Sequence, residues 1–133
     1  LFVDDHAEAL LAVAIQGQPG ATYGIGARQP RTNLQVVHAI CAALDARVPD
    51  PVGPRTRLIS FVTDRPGHDF RYEIDPARAE TALGWTASND FDTGLARTVD
   101  WYLANRAWWE PIRAARYDGQ RLGQAPASTK TAA

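Results

Sequence analysis

Residues 61–75 read FVTDRPGHDFRYEID. The stretch holds a bend between two segments that read as short strands, 58–62 and 71–74. Pro66-Gly67 makes a rigid corner, so Arg65 and His68 fall on one side of it. A guanidinium is a planar fork that fits phosphate oxygens bidentately, and an imidazole adds a further donor. Two readings follow: a site built to hold an anion, or a solvated turn whose charges pair among themselves. Residue chemistry alone leaves both open.

Working outward, Asp75-Pro76 offers a capping carboxylate and a proline at the first helical position, and the helix it opens stops at Gly84. Upstream of the loop lies a Pro-rich connector, 48–54. Before that, Thr32-Asn33-Leu34-Gln35 matches a capping box, in which the Thr32 hydroxyl and the Gln35 side chain satisfy each other's amides. Leu34, Val37, Ile40, Cys41 and Leu44 then recur on one helical face. A short strand at 22–25 runs into a turn at 26–30. At the start, residues 1–3 read as the end of a strand, and Asp4 or Asp5 can cap the following helix. Ala7, Leu10, Leu11, Ala14 and Ile15 give that helix its apolar periodicity, and the glycines and proline of 16–20 end it. Asp90 opens a last long helix with Leu95, Val99, Tyr102 and Leu103 inward. This helix closes in an aromatic cluster, Trp101, Trp108 and Trp109, ahead of Pro111. The expected fold class is α/β: a small mixed domain of short strands plus helices over residues 1–123, with a polar, disordered tail at 124–133. No internal repeat is visible.

The 133 residues suffice for one domain with a core and are short for two. A net charge of −1 gives no reason to expect a nucleic-acid or membrane surface. No apolar run approaches a membrane span and no signal-peptide pattern opens the chain. The single Cys41 excludes an internal disulfide and suits a reducing cytoplasm. There is no methionine, and the chain begins within the apolar run Leu-Phe-Val, which reads as a segment of a longer protein. Lys130 is the only lysine among fourteen basic residues.

Several familiar chemistries find no support. Gly24-Ile25-Gly26-Ala27-Arg28-Gln29 lacks the third glycine of a dinucleotide fingerprint, and Gly20, Gly24 and Gly26 read as turn glycines. No Tyr-x-x-x-Lys pair exists, because the lone lysine lies in the tail. His6, His38 and His68 are not spaced as metal ligands, and one cysteine cannot build a zinc cluster. Asp4-Asp5-His6 suggests an acid/base group, but its place at a helix start favours a structural role at the amide dipole end. Asn33, by contrast, sits where free first-turn amides favour an anion.

Taken in order, FVDDHAEAL, TYGIG, TNLQVV, FVTDRPGHDFRYEID, LGW, TGLARTVDWYLANRAWW and YDGQRLG resemble the C-terminal part of the dTDP-glucose 4,6-dehydratases. These belong to the extended short-chain dehydrogenase/reductase (extended SDR) superfamily. The resemblance runs from Leu1 to about Gly123, and Arg-Pro-Gly-His-Asp followed by Arg-Tyr is its most specific element. It implies a lyase that oxidises C4 of dTDP-glucose with NAD, eliminates water across C5 and C6, and yields dTDP-4-keto-6-deoxy-D-glucose for deoxysugar biosynthesis. It further implies a nucleotide-sugar-binding domain separated from its Rossmann half, which would bind NAD in cis or in trans, and a homodimeric, cytoplasmic enzyme. By resemblance, Asn33, Arg65, His68 and Tyr117 contact the dTDP-sugar; read by their chemistry, Asp64, Asp69 and Arg71 brace the loop. The family's Gly-rich NAD loop, Tyr-x-x-x-Lys pair, Asp-Glu dehydration pair and upstream arginine have no counterpart here. The chain by itself is therefore expected to hold no NAD and no catalytic residue, and to be inactive. A sister nucleotide-sugar epimerase or dehydratase, and a non-catalytic nucleotide-sugar or partner-binding module, are the alternatives.

Overall fold

The computed structural model describes residues 1–64 and 66–116. The chain runs α1 (Val3–Gln16), α2 (Asn33–Arg47), a 3-10 turn (Arg55–Leu58), α3 (Ala77–Leu83), α4 (Phe91–Ala104) and α5 (Arg106–Arg116). The expected tail, 124–133, lies outside the described residues. Two compact units divide the chain, residues 1–100 and residues from Trp101 onward. No helix among the described residues is long and apolar enough to cross a membrane.

The first three helices match the expectation, the expected last helix is two, α4 and α5, and the strands do not appear among the described residues. Among the described residues none is assigned to a strand, and 22–25, 58–62 and 71–74 run as irregular or 3-10 backbone. A strand is defined by its ladder, and a single segment supplies only half of one. Two of these segments nevertheless lie side by side. A Cβ added at Gly24 would stand 2.5 Å from the Asp75 carbonyl oxygen, and one at Gly26 would stand 2.9 Å from that of Ile74. Both glycines exist so that backbone can meet backbone.

The core of the first unit is small. Ala9, Ala79, Leu83 and Trp85 are buried, with Ala12, Val13, Tyr23, Ile25 and Ala87 packed around them. The sequence periodicity placed Leu10, Leu11 and Ile15 inward on α1, but all three are exposed. The reason is steric: methyl-sized Ala9 and Ala79 bring α1 close to α3, so the alanine side of α1 faces the core. The larger leucine and isoleucine side chains are left outside.

Elsewhere the local signals hold. Thr32 Oγ1 accepts from Gln35 N at 3.2 Å, and Gln35 Oε1 accepts from Thr32 N at 2.8 Å, completing the capping box. The apolar face of α2 is only half covered, since Ile40, Cys41 and Leu44 are partly buried while Leu34 and Val37 are exposed. Asp75 Oδ1 accepts from Ala77 N at 3.0 Å, so the carboxylate does cap α3, with Pro76 one position earlier than expected, at the N-cap. Gly84 ends α3 at φ 62°, a left-handed cap that favours glycine. Asp90 Oδ1 accepts from Thr93 N at 2.7 Å and opens α4, in which Val99 and Gly94 are buried.

In the second unit Pro111 falls inside α5, where the sequence reading ended the helix before it. The break comes instead at Asn105, whose backbone and side-chain amides both donate to the Trp101 carbonyl. Trp101 meets Tyr102 and Trp108 edge-on with ring centroids 5.2 Å apart, and Trp109 Nε1 donates to the Tyr102 carbonyl at 2.8 Å. The aromatic cluster forms as expected, although Tyr102, read as inward, is half exposed.

Candidate functional site

The bend in 61–75 depends on Gly67, whose φ of 69° lies in the left-handed region. It folds the chain back so that His68 Nδ1 meets Asp64 Oδ1 at 2.7 Å, with the imidazole partly buried and the carboxylate exposed. Asp69 Oδ2 accepts from the Tyr72 hydroxyl at 2.6 Å, and Arg71 pairs with Glu73 at 2.5 Å. Asp64, Asp69 and Arg71 thus each make a contact within the segment. Arg65, the expected fork, lies outside the described residues. Phe61, Val62, Phe70, Tyr72 and Ile74 all project into solvent.

Asn33 is the first residue of α2 and is exposed, beside a capping box that leaves its side chain unused. The turn leading to it is pinned at three places. Arg28, the one non-glycine residue at positive φ (50°) among those described, grips Glu80 with two hydrogen bonds of 2.9 and 2.8 Å and reaches Asp75 at 3.2 Å. The Glu80 hydrogen bonds chiefly hold the Arg28 guanidinium above its ordinary range. Gln29 Oε1 accepts from Phe91 N at 2.7 Å, and the Arg31 guanidinium stacks over the Phe91 ring at 5.3 Å. Arg31 has no carboxylate partner among the described residues, so it presents its charge two positions from Asn33. The sequence reading missed Arg31; its only signal was proximity to the capping box. No hydrogen bond or ion pair among the described residues joins Asn33 to His68, and Tyr117 lies outside those residues.

Other arginines are committed elsewhere. Arg55 binds Asp45 at 2.6 Å and its backbone N–H donates to the same carboxylate at 2.9 Å. That backbone bond is the largest of the causes holding Asp45 below the usual carboxylate range. Arg57 pairs with Asp50 at 2.7 Å and Arg47 with Asp100. These pairs lash the 3-10 turn and α4 to α2.

Asp5 is the most deeply placed charge among the described residues. It is 1% exposed and accepts from the Ser88 hydroxyl (2.7 Å), the Asn89 side-chain amide (2.9 Å), and the backbone N–H groups of both residues (3.2 Å each). Burial pushes its carboxyl up, but these four donors outweigh burial and leave it below the ordinary value. Phe2, not either aspartate, is the N-cap of α1, so the expected capping role goes to neither. Asp4 instead pairs with Arg97 at 2.8 Å, and that guanidinium lies 4.4 Å from the Phe2 ring centroid. The structural reading of Asp4-Asp5 stands, for a different cause.

No cofactor cradle emerges from the glycines. Gly24 and Gly26 are closed by Ile74 and Asp75, so the space a missing Cβ would leave for a pyrophosphate is filled by the chain itself. The Gly24–Gly26 turn therefore offers no pyrophosphate cradle.

What remains among the described residues is an exposed helix start at Asn33 with Arg31 two positions before it, and a charged loop around Asp64 and His68. Residues 1–98 match the family model described as GDP-mannose 4,6 dehydratase, and the chain belongs to that family. It is 50% identical over 123 residues to a probable dTDP-glucose 4,6-dehydratase of Sinorhizobium fredii, covering 92% of this chain and 35% of that protein. A dTDP-glucose 4,6-dehydratase of Escherichia coli is 44% identical over 126 residues, with the same shares. Among solved structures, dTDP-glucose 4,6-dehydratase of Bacillus anthracis in complex with NAD superposes with a TM-score of 0.70 at 34% identity, over 83% of this chain and 32% of that one. The chain spans about a third of the length of the relatives it matches.

Proposed function

We propose that the chain is the sugar-nucleotide-binding portion, from the C-terminal part, of a dTDP-glucose 4,6-dehydratase, the lyase that converts dTDP-glucose to dTDP-4-keto-6-deoxy-D-glucose with loss of water. The observation that carries this is the agreement of the relatives: those at 50% and 44% identity both bear the dTDP-glucose name. In this reading Arg65 and His68 receive the diphosphate, Asn33 contacts the nucleotide, Tyr117 is a further substrate contact, and a Rossmann portion supplies NAD and the catalytic groups. The whole enzyme is then a cytoplasmic homodimer.

The reading also gives the missing strands a place. Segments 22–25, 58–62 and 71–74 become the short strands of a mixed α/β domain once neighbouring strands of the complete protein complete their ladders. Their exposed apolar side chains, Phe61, Val62, Tyr72 and Ile74, support this.

A second reading, a GDP-sugar dehydratase, is favoured by the description of the family model. Saturation-transfer NMR of the chain with dTDP-glucose and with GDP-mannose separates the two. Transfer to the thymine methyl with dTDP-glucose, and none to guanine, is the expected result; the reverse sinks the dTDP assignment. Arg65→Ala should weaken dTDP-glucose binding by about 1.5–3 kcal/mol, the worth of a charge-assisted bond. Unchanged affinity in that variant would remove Arg65 from the site.

A further inference from the structure

The Asp64–His68 contact restricts what the imidazole can do. An ionised carboxylate only accepts, so the ring nitrogen facing it at 2.7 Å, Nδ1, must carry the hydrogen. In the neutral ring Nε2 then has a lone pair and no proton. A diphosphate is likewise acceptor-only along its oxygens, so a neutral His68 held this way would meet it lone pair to lone pair. Only the imidazolium, with hydrogen on both nitrogens, can donate to the anion through Nε2 while keeping its bond to Asp64.

We propose that Asp64 is a positioning residue that locks His68 with its hydrogen on Nδ1, so that capture of a sugar-nucleotide diphosphate takes up one proton from solvent at His68 Nε2. This rests on the reading that the loop binds the diphosphate. The proton ends on Nε2 as the donor to a phosphate oxygen, and no other bond changes. The other charged groups of the described loop are engaged without His68: Asp69 with Tyr72, and Arg71 with Glu73. On the neighbouring 3-10 turn, Arg55 and Arg57 are matched by Asp45 and Asp50. Asp64 is therefore the carboxylate that addresses the ring.

The consequence is a pH dependence of a definite sign. Binding takes up a proton, so affinity falls as pH rises, approaching tenfold per pH unit in the limit of one full proton, or about 1.4 kcal/mol. Asp64→Asn relaxes the lock, because an amide can donate to Nδ1 as well as accept from it. A neutral ring with hydrogen on Nε2 then becomes available to the ligand and no proton is needed.

The test is titration calorimetry of the full chain with dTDP-glucose at pH 7.5, in two buffers of different ionisation enthalpy. This ligand is esterified at both ends of its diphosphate and has no phosphate proton of its own to exchange near neutrality, so any uptake belongs to the protein. Buffer-dependent heat showing proton uptake, absent in His68→Gln and sharply reduced in Asp64→Asn, is the expected result. Binding with buffer-independent heat overturns the proposal and leaves the function reading intact. Failure to bind dTDP-glucose at all overturns both. Long-range proton–nitrogen spectra of the ligand-free chain, with His68 assigned by its loss in His68→Gln, supply a readout that needs no ligand. Hydrogen on Nδ1 in the parent and a shift toward Nε2 in Asp64→Ala are expected, and hydrogen on Nε2 in the parent overturns the proposal.

Discussion

The packed corner around Asp5 and the open segment 59–75 are built from similar residue types and behave in opposite ways. At the corner, a carboxylate, a serine and an asparagine close on one another out of solvent, beside a core of alanines, Leu83 and Trp85. In the open segment, Asp64 pairs with His68 and Arg71 with Glu73 over short sequence distances and the aromatic side chains are exposed, Phe70 fully so. The difference is where the partners come from. Every acceptor on Asp5 is met by this chain, whereas an extended segment needs a second strand along its whole length.

The sharpest way to break this contrast is at Asp5. Asp5→Ala should strand four donors and cost about 3 kcal/mol, read as a lowered midpoint in urea without a changed slope. The same group sets an acid limit. Its folded pKa lies below its unfolded one, so its contribution is fully present above the ordinary aspartate range, near pH 4, and drains away as pH falls through the lower folded value. Acid titration followed by circular dichroism should show the Asp5→Asn variant flatter than the parent below that range.

Next in size is Gly24→Ala. Its new Cβ would stand 2.5 Å from the Asp75 carbonyl oxygen, and forcing the two backbones apart should cost about 2 kcal/mol. Thr32→Ala should cost about 1 kcal/mol through the lost capping box. Smallest in stability, and opposite in kind, is the double change Phe61→Ser and Phe70→Ser. Both side chains are exposed, so the urea midpoint should stay within about 0.5 kcal/mol of the parent. Sedimentation should meanwhile show self-association in the parent and less of it in the variant. A monomeric parent would mean that the open segment is not adhesive.

These outcomes also mark what a reader of the sequence could see. The capping box at Thr32, the left-handed stop at Gly84 and the aspartate opening α4 are local devices, written within four residues, and each is found where the pattern put it. The facing of α1 was misread because periodicity weighs leucine and isoleucine, while close helix contact selects alanine. Asp5 was invisible because its partners lie 83 and 84 positions away. The strands were legible as propensity only, since a ladder depends on a second segment. At the candidate site the pairing of His68 with Asp64 has a sequence signal, a four-residue spacing across Pro-Gly, yet the chain pattern could not say which ring nitrogen it would engage.

The distance between Asp5 and its donors has a consequence for biosynthesis. A nascent chain carries that carboxylate out of the ribosome more than eighty residues before Ser88 and Asn89 follow. Until they emerge, the Asp5 carboxylate has water in place of these four donors. The corner is consequently a late-closing clasp, and a chain stalled before Ser88 should remain open to proteases at α1.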